Sequence, residues 1–590
     1  MNQPRSIHGP LIEGGGVTFR LFAPDPVRVE LVLFHADGRE RARMPMRKNG
    51  SNWTVHERVP PGALYAFSPD GRGPFPDPAS RHQPRGVHGP SAVVDPTRFR
   101  FVHDAPAIDP RRVVLYELHV GAVTPKGTFE SLVERLDYLR DLGVNTLELM
   151  PIAEFNGTRN WGYDGVLWFA PAHSYGSPEA LVRLIDAAHA RGLAIVLDVV
   201  FNHFGPAGNY LREWGKGYFT DRQKTPWGDA INYSLPEVRA LALEAATSWI
   251  RDYRFDGLRL DATHAIYDES KPHLLEEVAR MARESAGERR VAIFAEDERN
   301  EAALARSMGV DAIWADDFHH EVRRIVAGDD EAWFADFQGD LDELVRILDR
   351  GWLYEGQPKK NGTPRGTKTD GLDPSRFVHC IQNHDQVGNR ALGDRLHHVV
   401  DSASYRAATA LLLASPYVPL LFMGQEFGAS TPFTFFTHHD EELGKLVTKG
   451  RREEFANFRA FSDEGMREHI PDPQDEASFA RSRLHWAEAE QSPGSELLAL
   501  HRRLLSLRND PAMRGSHCVA RVAECLVAIR REHEGRALVY VVGLREGGTL
   551  DLDASPLTRG VSVVELDTEG SARLEGRRLT LAGPGAVVLR

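Results

Sequence analysis

Residues 193–200 read Leu-Ala-Ile-Val-Leu-Asp-Val-Val, an apolar run that only Asp198 interrupts. Such a run is typical of a strand covered on both faces, because the strands of a parallel sheet lie between two layers of helices. Before it, Leu181, Leu184 and Ile185 recur at helical spacing. We therefore predict a helix followed by a buried parallel strand.

The same alternation of strand and helix extends in both directions along the chain. Seven further short apolar segments have the character of buried strands: residues 113–118, 144–150, 255–261, 291–296, 312–315, 377–382 and 418–423. Eight strand–helix units over roughly 390 residues predict an α/β fold, a (β/α)8 TIM barrel with insertions. An open, doubly wound sheet is the competing arrangement, but no glycine-rich phosphate loop follows the first strand.

The segments on either side of the barrel are predicted to be β-structure. Residues 17–34 alternate between apolar and polar side chains and contain turn residues, as short sandwich strands do. Near the other end, four segments have strand character: residues 520–530, 537–544, 561–566 and 579–589. We predict an immunoglobulin-like β-sandwich over residues 1–95, the barrel over 96–513 with a short insertion after its third strand, and a small C-terminal β-sheet domain over 514–590.

The composition is that of an acidic globular chain. It has 590 residues, 42% of them hydrophobic, and a formal net charge of −13 at pH 7. Because an acidic surface repels polyphosphate, we expect no nucleic acid partner. No apolar run approaches the ~18 residues of a membrane span, so we expect no membrane association. Three cysteines give no disulfide framework and the first residues lack a signal-peptide core, which favours a cytoplasmic location.

Ionisable residues stand where four of the predicted strands end. Asp198, Asp261, Glu296 and Asp385 each lie at or just after the end of an apolar segment. Because the active residues of a barrel lie at the C-terminal ends of its strands, these four should meet on one rim. Any one of them alone would suit a helix cap or a structural ion pair. All four in register with predicted strands favour a functional site.

Two of these carboxylates are predicted to have opposed surroundings. Residues 257, 259 and 261 share one face of a strand, so Arg259 should lie beside Asp261 and favour its ionised form. Glu296 follows a nearly apolar segment, and desolvation together with a carboxylate neighbour should raise its pKa. An ionised nucleophile and a protonated acid, about 5 Å apart, are the pair that cleaves glycosides with retention.

Four segments resemble the signature regions of the α-amylase superfamily, in the family order: residues 198–203, 257–261, 296 and 383–385. The resemblance implies that Asp261 is the nucleophile, Glu296 the general acid/base and Asp385 the carboxylate that stabilises the transition state. It also implies that Asp198 holds Arg259 in position without itself contacting the sugar. The residues that it places around the sugar at the cleavage subsite are Tyr163, His203, Arg259 and His384, with Tyr163 stacked beneath the reacting ring.

Further segments resemble one subfamily, the malto-oligosyltrehalose trehalohydrolases: residues 147–155, 159–164, 261–264, 316–320, 382–389 and 423–427. The resemblance implies retaining hydrolysis of the α-1,4 bond next to the terminal trehalose of malto-oligosyltrehalose, with trehalose and maltodextrin as products. It implies no cofactor, and a functional partner, malto-oligosyltrehalose synthase, that supplies the substrate. It adds His264, Gln386 and Asn389 to the predicted substrate-binding residues.

The segment 316–320 is predicted to end the sixth strand on the leaving-group side of the site. The residues expected to hold the trehalose there are Asp316, Asp317, Phe318, His319 and His320. A structural His/Asp cluster is the alternative, and a zinc site is the weaker interpretation because adjacent side chains on a strand diverge. We predict no bound metal, since the segment after His203, about 35 residues long, is short beside the calcium-binding domain of many amylases.

A few residues and functions keep more than one interpretation. Phe433, Phe435 and Phe436 are either core residues or a platform for glucan, and Cys380 is expected to be a buried filler. A glycogen branching enzyme would share the sandwich, the barrel and both carboxylates. A non-catalytic glucan-binding barrel is a further alternative, but such relatives usually lose a catalytic carboxylate, and all three are present.

Overall fold

The structure, a computed structural model, describes residues 7–225 and 227–590. Its centre is a closed barrel of eight parallel strands. In chain order these are Leu115–Leu118, Thr146–Leu149, Ala194–Val199, Gly257–Leu260, Ala292–Glu296, Ala312–Trp314, Phe377–Cys380 and Val418–Phe422, and we number them as barrel strands one to eight. All eight predicted segments form these strands, within slightly narrower bounds, so the predicted barrel is confirmed.

Apolar side chains fill the barrel interior, and charged side chains lie at its C-terminal rim. Val196, Phe294 and Trp314 belong to one buried cluster inside the barrel. Gly257 leaves room in this layer, because a Cβ atom there would lie 2.5 Å from the carbonyl oxygen of Ala292. The empty position allows the fourth strand to approach the fifth while its later residues point charged groups into the rim.

Helices surround the barrel and place their apolar faces against it. The helices of seven or more residues are Leu136–Leu142, Pro178–His189, Pro236–Arg251, Leu274–Ala286, Asp317–Ala327, Leu341–Arg350, Ser402–Ala414, Glu441–Glu454 and Gly494–Arg508. The helix Leu136–Leu142 ends as its sequence predicts, since Gly143 adopts a left-handed conformation with φ of 107°. The described residues contain no helix that is long and apolar enough to cross a bilayer.

Antiparallel sheets lie on both sides of the barrel. The N-terminal part holds two four-stranded sheets, built from Leu11–Glu13, Gly16–Phe22, Asn52–Glu57 and Arg47–Asn49, and from Glu40–Pro45, Val29–Phe34, Leu64–Pro69 and Ser91–Ala92. The C-terminal part holds a five-stranded sheet of Ser516–Ala523, Leu526–His533, Arg536–Gly543, Gly585–Leu589 and Val564–Asp567, and a three-stranded sheet of Gly548–Asp551, Arg578–Leu581 and Arg573–Glu575. These sheets confirm the predicted fold class, while the boundaries at residues 95 and 513 stay predictions.

Two details of the secondary structure differ from the sequence-based prediction. The segment 520–530 is not one strand but part of a hairpin, with its turn between Ala523 and Leu526. Residues 316–320 do not end the sixth strand, which stops at Trp314, and a helix begins at Asp317. The prediction of a strand there was wrong because acidic residues after an apolar segment can also start an amphipathic helix.

Candidate active site

One buried arginine joins the carboxylates at the C-terminal rim of the barrel. Arg259 is 1% exposed, and its Nη1 donates to Asp198 Oδ2 at 2.8 Å and to Asp261 Oδ1 at 2.7 Å. Its Nη2 lies 3.9 Å from Glu296 Oε2, and its guanidinium packs over the ring of Trp314 at 4.4 Å. Asp261 and Glu296 therefore lie around the same cation, on the fourth strand and its neighbour.

Asp261 is held by contacts to both of its carboxylate oxygens. Arg259 contacts Oδ1, and the side-chain amide of Asn202 donates to Oδ2 at 2.8 Å. The next residue, Ala262, has a left-handed backbone with φ of 40°, a costly conformation for a residue with a Cβ atom. That turn points the amide N–H of Ala262 at Glu296 Oε2, 2.6 Å away. The backbone after Asp261 thus positions Glu296.

Glu296 has the surroundings of a proton donor. Burial raises the pKa of its carboxyl well above the ordinary range, and the charges of Asp261, Asp385 and Asp316 raise it further. Arg259 acts in the opposite direction, but more weakly than burial. A carboxyl with a raised pKa keeps its proton to higher pH than a free glutamic acid does, and it can deliver that proton to a leaving oxygen.

Asp385 stands at the first turn of the short helix His384–Gly388, which follows the seventh strand. Asn383 caps this helix by accepting the backbone N–H of Gln386 at 2.7 Å. The Asp385 side chain is 43% exposed, and its Oδ1 accepts from Asn389 Nδ2 at 2.9 Å. Of the three predicted catalytic carboxylates, it is the one most open to the cavity.

Two histidines and a tyrosine border the same carboxylates. The ring of Tyr163 stacks on that of His384 with centroids 5.1 Å apart, and its hydroxyl donates to Asp198 Oδ2 at 2.7 Å. His203 Nε2 lies 2.9 Å from the carbonyl oxygen of Tyr163. The structure therefore brings Tyr163, His203 and His384 together with Arg259, and stacking of Tyr163 on a sugar stays a prediction.

Trp227 also belongs to this region, although the sequence analysis did not identify it as a site residue. It lies in the turn between the hairpin strands Phe219–Thr225 and Gly228–Ile231, after the third barrel strand. Its ring is parallel to that of His203, with centroids 3.8 Å apart and an interplanar angle of 3°, yet the residue is 49% exposed. A tryptophan in a polar hairpin turn was the available signal, because no core lies near such a turn.

A cavity of about 610 Å³ opens from Glu296 and Asp385. Four of the predicted substrate-binding residues line it: Asp316, His320, Gln386 and Asn389. Its wall also includes Arg299, Lys359, Arg365 and Trp333, which the sequence did not single out. Burial raises the pKa of Asp316 to about 6. The cavity therefore offers charged and polar groups of both signs beside the proton donor.

The other members of the 316–320 segment point elsewhere. Asp317 is fully buried, accepts the backbone N–H of Leu353 at 2.7 Å and pairs with Arg365 at 3.1 Å. Phe318 stacks on His379, and His319 Nδ1 contacts the carbonyl oxygen of Ile381 at 2.9 Å. On a helix these side chains spread around the axis, so only Asp316 and His320 face the cavity. The expectation that all five hold a ligand does not fit this geometry.

The remaining predicted positions lie around this centre. His264 lines an adjoining cavity of about 860 Å³, which shares Arg299 with the first. A third cavity, of about 720 Å³, is lined by Arg159, His438 and His439. His439 Nε2 lies 3.6 Å from Asp164, the residue after Tyr163. This third cavity thus begins beside the loop that carries Tyr163.

The residues with an open interpretation are mostly core. Phe433 and Phe436 are fully buried, whereas Phe435 is partly buried with its ring edge-on to Trp161 at 5.1 Å. Cys380 is buried inside the barrel, as predicted. Across the described ranges, no group of three or more His, Cys, Asp or Glu side chains is arranged to hold a metal ion.

Two family models match parts of this chain, and named relatives match most of its length. The alpha amylase catalytic domain matches residues 94–229, and carbohydrate-binding module 48, the isoamylase N-terminal domain, matches residues 7–82. The malto-oligosyltrehalose trehalohydrolase of Deinococcus radiodurans is 42% identical over 100% of this chain and 97% of its own length. The enzyme of the same name from Arthrobacter ramosus is 43% identical over 94% of this chain and 99% of its own.

Three further comparisons separate family from fold. A crystal structure described as an alpha amylase, from Salmonella typhimurium, superposes with a TM-score of 0.89 at 36% identity and covers 98% of this chain and 99% of its own. A pullulanase of Anoxybacillus, complexed with maltotetraose, gives a TM-score of 0.75 at 19% identity and shares the fold alone. A 1,4-alpha-glucan branching enzyme of Xanthomonas campestris is 31% identical, but over only 42% of this chain.

Proposed function

Because this chain belongs to the malto-oligosyltrehalose trehalohydrolase family, we propose that it hydrolyses the α-1,4-glucosidic bond that joins a maltodextrin to a terminal trehalose. The single observation that carries the proposal is the arrangement of Asp261 and Glu296 around Arg259, with the pKa of Glu296 raised by burial. Asp261 is held by two donors, and the raised pKa of Glu296 favours its protonated form. These are the two states that a retaining glycosidase needs before it binds its substrate.

The placement of the three carboxylates supports the following reaction. Asp261 attacks the anomeric carbon while Glu296 protonates the bridging oxygen, and the bond from that carbon to trehalose breaks. Glu296, now ionised, removes a proton from water, which attacks the glycosyl–Asp261 ester and releases the maltodextrin with retained configuration. Asp385 stands exposed beside the cavity, where its charge stabilises the positive charge that develops on the sugar ring.

The cavity beside Glu296 suits the leaving trehalose. A volume of about 610 Å³ is within the range of small-ligand sites, and its polar wall offers donors and acceptors for a disaccharide rich in hydroxyls. Asp316 and His320 are the members of the predicted trehalose-holding set that reach it. The third cavity, beside Asp164, suits the maltodextrin arm, because it begins at the loop of Tyr163.

Product analysis tests this function against the branching activity of a related enzyme. The protein is incubated with maltopentaosyltrehalose and, separately, with amylose. We expect release of trehalose and maltopentaose from the first substrate, and neither product with the Asp261→Asn variant. New branch points in amylose without release of trehalose would replace the proposal with glucan transfer.

The location and the partner are further parts of the proposal. The described cysteines Cys380, Cys518 and Cys525 are all free, which fits a reducing compartment such as the cytoplasm. We propose that malto-oligosyltrehalose synthase supplies the substrate, so that the two enzymes act in sequence. Trehalose formed from maltodextrin only when both proteins are mixed would support this link.

A further inference from the structure

A buried carboxylate of the first barrel strand lies directly behind the active site. Glu117 is 1% exposed, and the mechanism above gives it no role. Its Oε1 accepts from Nδ1 of His384 at 2.5 Å, and its Oε2 accepts the backbone N–H of His384 at 2.8 Å. One carboxylate therefore fixes both the ring and the main chain of a residue that borders the cleavage subsite.

His384 connects this carboxylate to the nucleophile through a continuous series of short contacts. Its Nε2 lies 2.8 Å from the hydroxyl oxygen of Tyr163, and that hydroxyl donates to Asp198 at 2.7 Å. Asp198 accepts from Arg259 at 2.8 Å, and Arg259 donates to Asp261 at 2.7 Å. A change at the first strand can thus reach Asp261 without any movement of the backbone.

These contacts demand a proton on each ring nitrogen of His384. An ionised Glu117 can only accept, so Nδ1 carries a hydrogen. The hydroxyl hydrogen of Tyr163 is directed at Asp198, so the oxygen of Tyr163 is left to accept a hydrogen from Nε2. A ring with both hydrogens is an imidazolium. In agreement, burial and the charge of Arg259 act to lower the pKa of His384, but Glu117 and Asp385 together outweigh them and raise it to about 9.

Among the other groups near His384, Arg259 acts to lower its pKa, and Asp198, on the far side of the Tyr163 hydroxyl, has a pKa that burial raises to about 7. Glu117 is therefore the buried counter-charge in direct contact with the ring. Asp385 Oδ1 is farther away, at 3.6 Å from Nε2, and is open to the cavity. Glu148 stands opposite Glu117 on the second strand, and within the described part of the chain neither of its oxygens has a hydrogen-bond partner. Burial raises the pKa of Glu148 well above its usual range, which favours its neutral form. The facing rings of Trp161 and Trp314 carry no charge.

We propose that Glu117 is a positioning residue that holds His384 as an imidazolium with its Nε2–H directed at Tyr163. The fixed imidazolium orients the Tyr163 hydroxyl towards Asp198, and Asp198 in turn holds Arg259 against Asp261. The kinetic consequence rests on the proposed hydrolase function, whereas the protonation of His384 does not.

The Glu117→Gln variant tests the kinetic consequence, with Glu148→Gln as the matched control from the adjacent strand. The amide keeps the size of the side chain but removes the charge, so the pKa of His384 should fall by about one to three units. The imidazolium is present below that pKa and lost above it. We therefore expect the alkaline limb of the kcat/KM profile on maltopentaosyltrehalose to move to lower pH in Glu117→Gln, with activity largely retained at pH 5.5. The limb should stay in place in Glu148→Gln.

A purely structural role for Glu117 would lower activity by the same factor at every pH, and that result would overturn the proposal. An equal shift of the limb in both variants would overturn it as well. These two outcomes distinguish a lost counter-charge from a disturbed barrel.

Nitrogen-15 NMR of histidine side chains in the wild-type protein gives a second measurement that needs no substrate and no folded variant at Glu117. The His384 signals are those missing from His384→Gln. We expect both ring nitrogens to be protonated at pH 7 and to titrate near pH 9, and a neutral His384 at pH 7 would refute the proposal. A wild-type enzyme that releases no trehalose would count against the proposed function instead, and the protonation result would stand apart from it.

Discussion

At the scale of single residues, burial gives Glu296 a role different from that proposed for Asp261. Glu296 is raised in pKa by its surroundings, so its protonated form persists to higher pH than that of a free glutamic acid and is lost as pH rises through that pKa. We expect Glu296→Gln to reduce kcat on maltopentaosyltrehalose by about 10²- to 10⁴-fold, since no proton reaches the leaving oxygen. Steady-state kinetics of the purified variant measures this loss.

Maltotriosyl fluoride separates this role from a structural one, because fluoride leaves without a proton. Glu296→Gln should form the glycosyl–enzyme ester from the fluoride at nearly the wild-type rate, and azide should speed its breakdown. A loss as large on the fluoride as on the glycosyltrehalose would show that Glu296 does more than transfer protons.

Asp316 provides a second test at this scale. Burial raises its pKa to about 6, so the carboxylate that lines the cavity is ionised above that pH and neutral below it. An ionised acceptor strengthens a hydrogen bond to about 1.5–3 kcal/mol. Because a neutral acceptor contributes about 0.5–1.5 kcal/mol, the gain is about 1–1.5 kcal/mol. We expect inhibition by trehalose to strengthen about five- to ten-fold as pH rises through 6, and Asp316→Asn to remove this dependence. An unchanged inhibition profile in the variant would place Asp316 outside the trehalose site.

The sequence carried most of the information about these charged residues. Asp261, Glu296 and Asp385 could be placed on one rim, because each follows an apolar strand and barrel strands are parallel. The pairing of Arg259 with Asp261 followed from the two-residue period of a strand. Glu117 could not be found in this way, since it lies within a strand rather than at its end, and its contact with His384 spans 267 residues.

At the scale of elements, the loop after the second strand depends on one glycine. Gly162 has φ of 108°, and a Cβ atom there would lie 2.1 Å from the carbonyl oxygen of Pro151. Gly162→Ala must therefore move the backbone that carries Tyr163, and we expect a loss of at least ten-fold in kcat/KM together with a lower melting temperature. Activity assays and thermal unfolding measure the two effects.

Gly192 supplies the matched control, because it also has positive φ, 71°, but no atom lies within 4 Å of its would-be Cβ. Gly192→Ala should cost only the conformational strain, about 1–2 kcal/mol of stability, and leave kcat/KM unchanged. Equal effects of both substitutions on activity would mean that strain, and not the displaced loop, explains the result.

The local sequence predicted the secondary-structure elements around the site less well than it predicted the site residues. A short polar stretch after an apolar one looks the same whether it ends a strand or starts a helix, and this ambiguity led to the wrong prediction at residues 316–320. The hairpin that carries Trp227 was missed for a different reason. Its strands are polar and partly exposed, so no hydrophobic period marks them, and their position over His203 is a matter of tertiary packing.

At the scale of the whole molecule, one segment serves both the domain interface and the active site. Trp214 is fully buried between the barrel and the N-terminal sheets, edge-on to Phe67 at 6.3 Å and to Phe75 at 6.0 Å. Thirteen residues later, Trp227 lies exposed over His203. The insertion after the third strand thus contacts the N-terminal sheets with one tryptophan and covers His203, a predicted substrate-binding residue, with the other.

Exchange of each tryptophan for alanine should therefore give opposite phenotypes. Trp214→Ala leaves a large cavity at the interface, so we expect the free energy of unfolding to fall by about 3–5 kcal/mol while the folded fraction keeps its KM. Trp227→Ala removes an exposed ring, so stability should change by less than about 0.5 kcal/mol, whereas KM should rise about two- to ten-fold through loss of a stacking contact. Denaturant unfolding measures the free energy of unfolding of the two variants, and steady-state kinetics measures their KM. Trp227→Phe is the conservative control. If Trp214→Ala raised KM as much as Trp227→Ala does, the sandwich would influence the active site through this segment, and the separation of anchoring from binding would have to be abandoned.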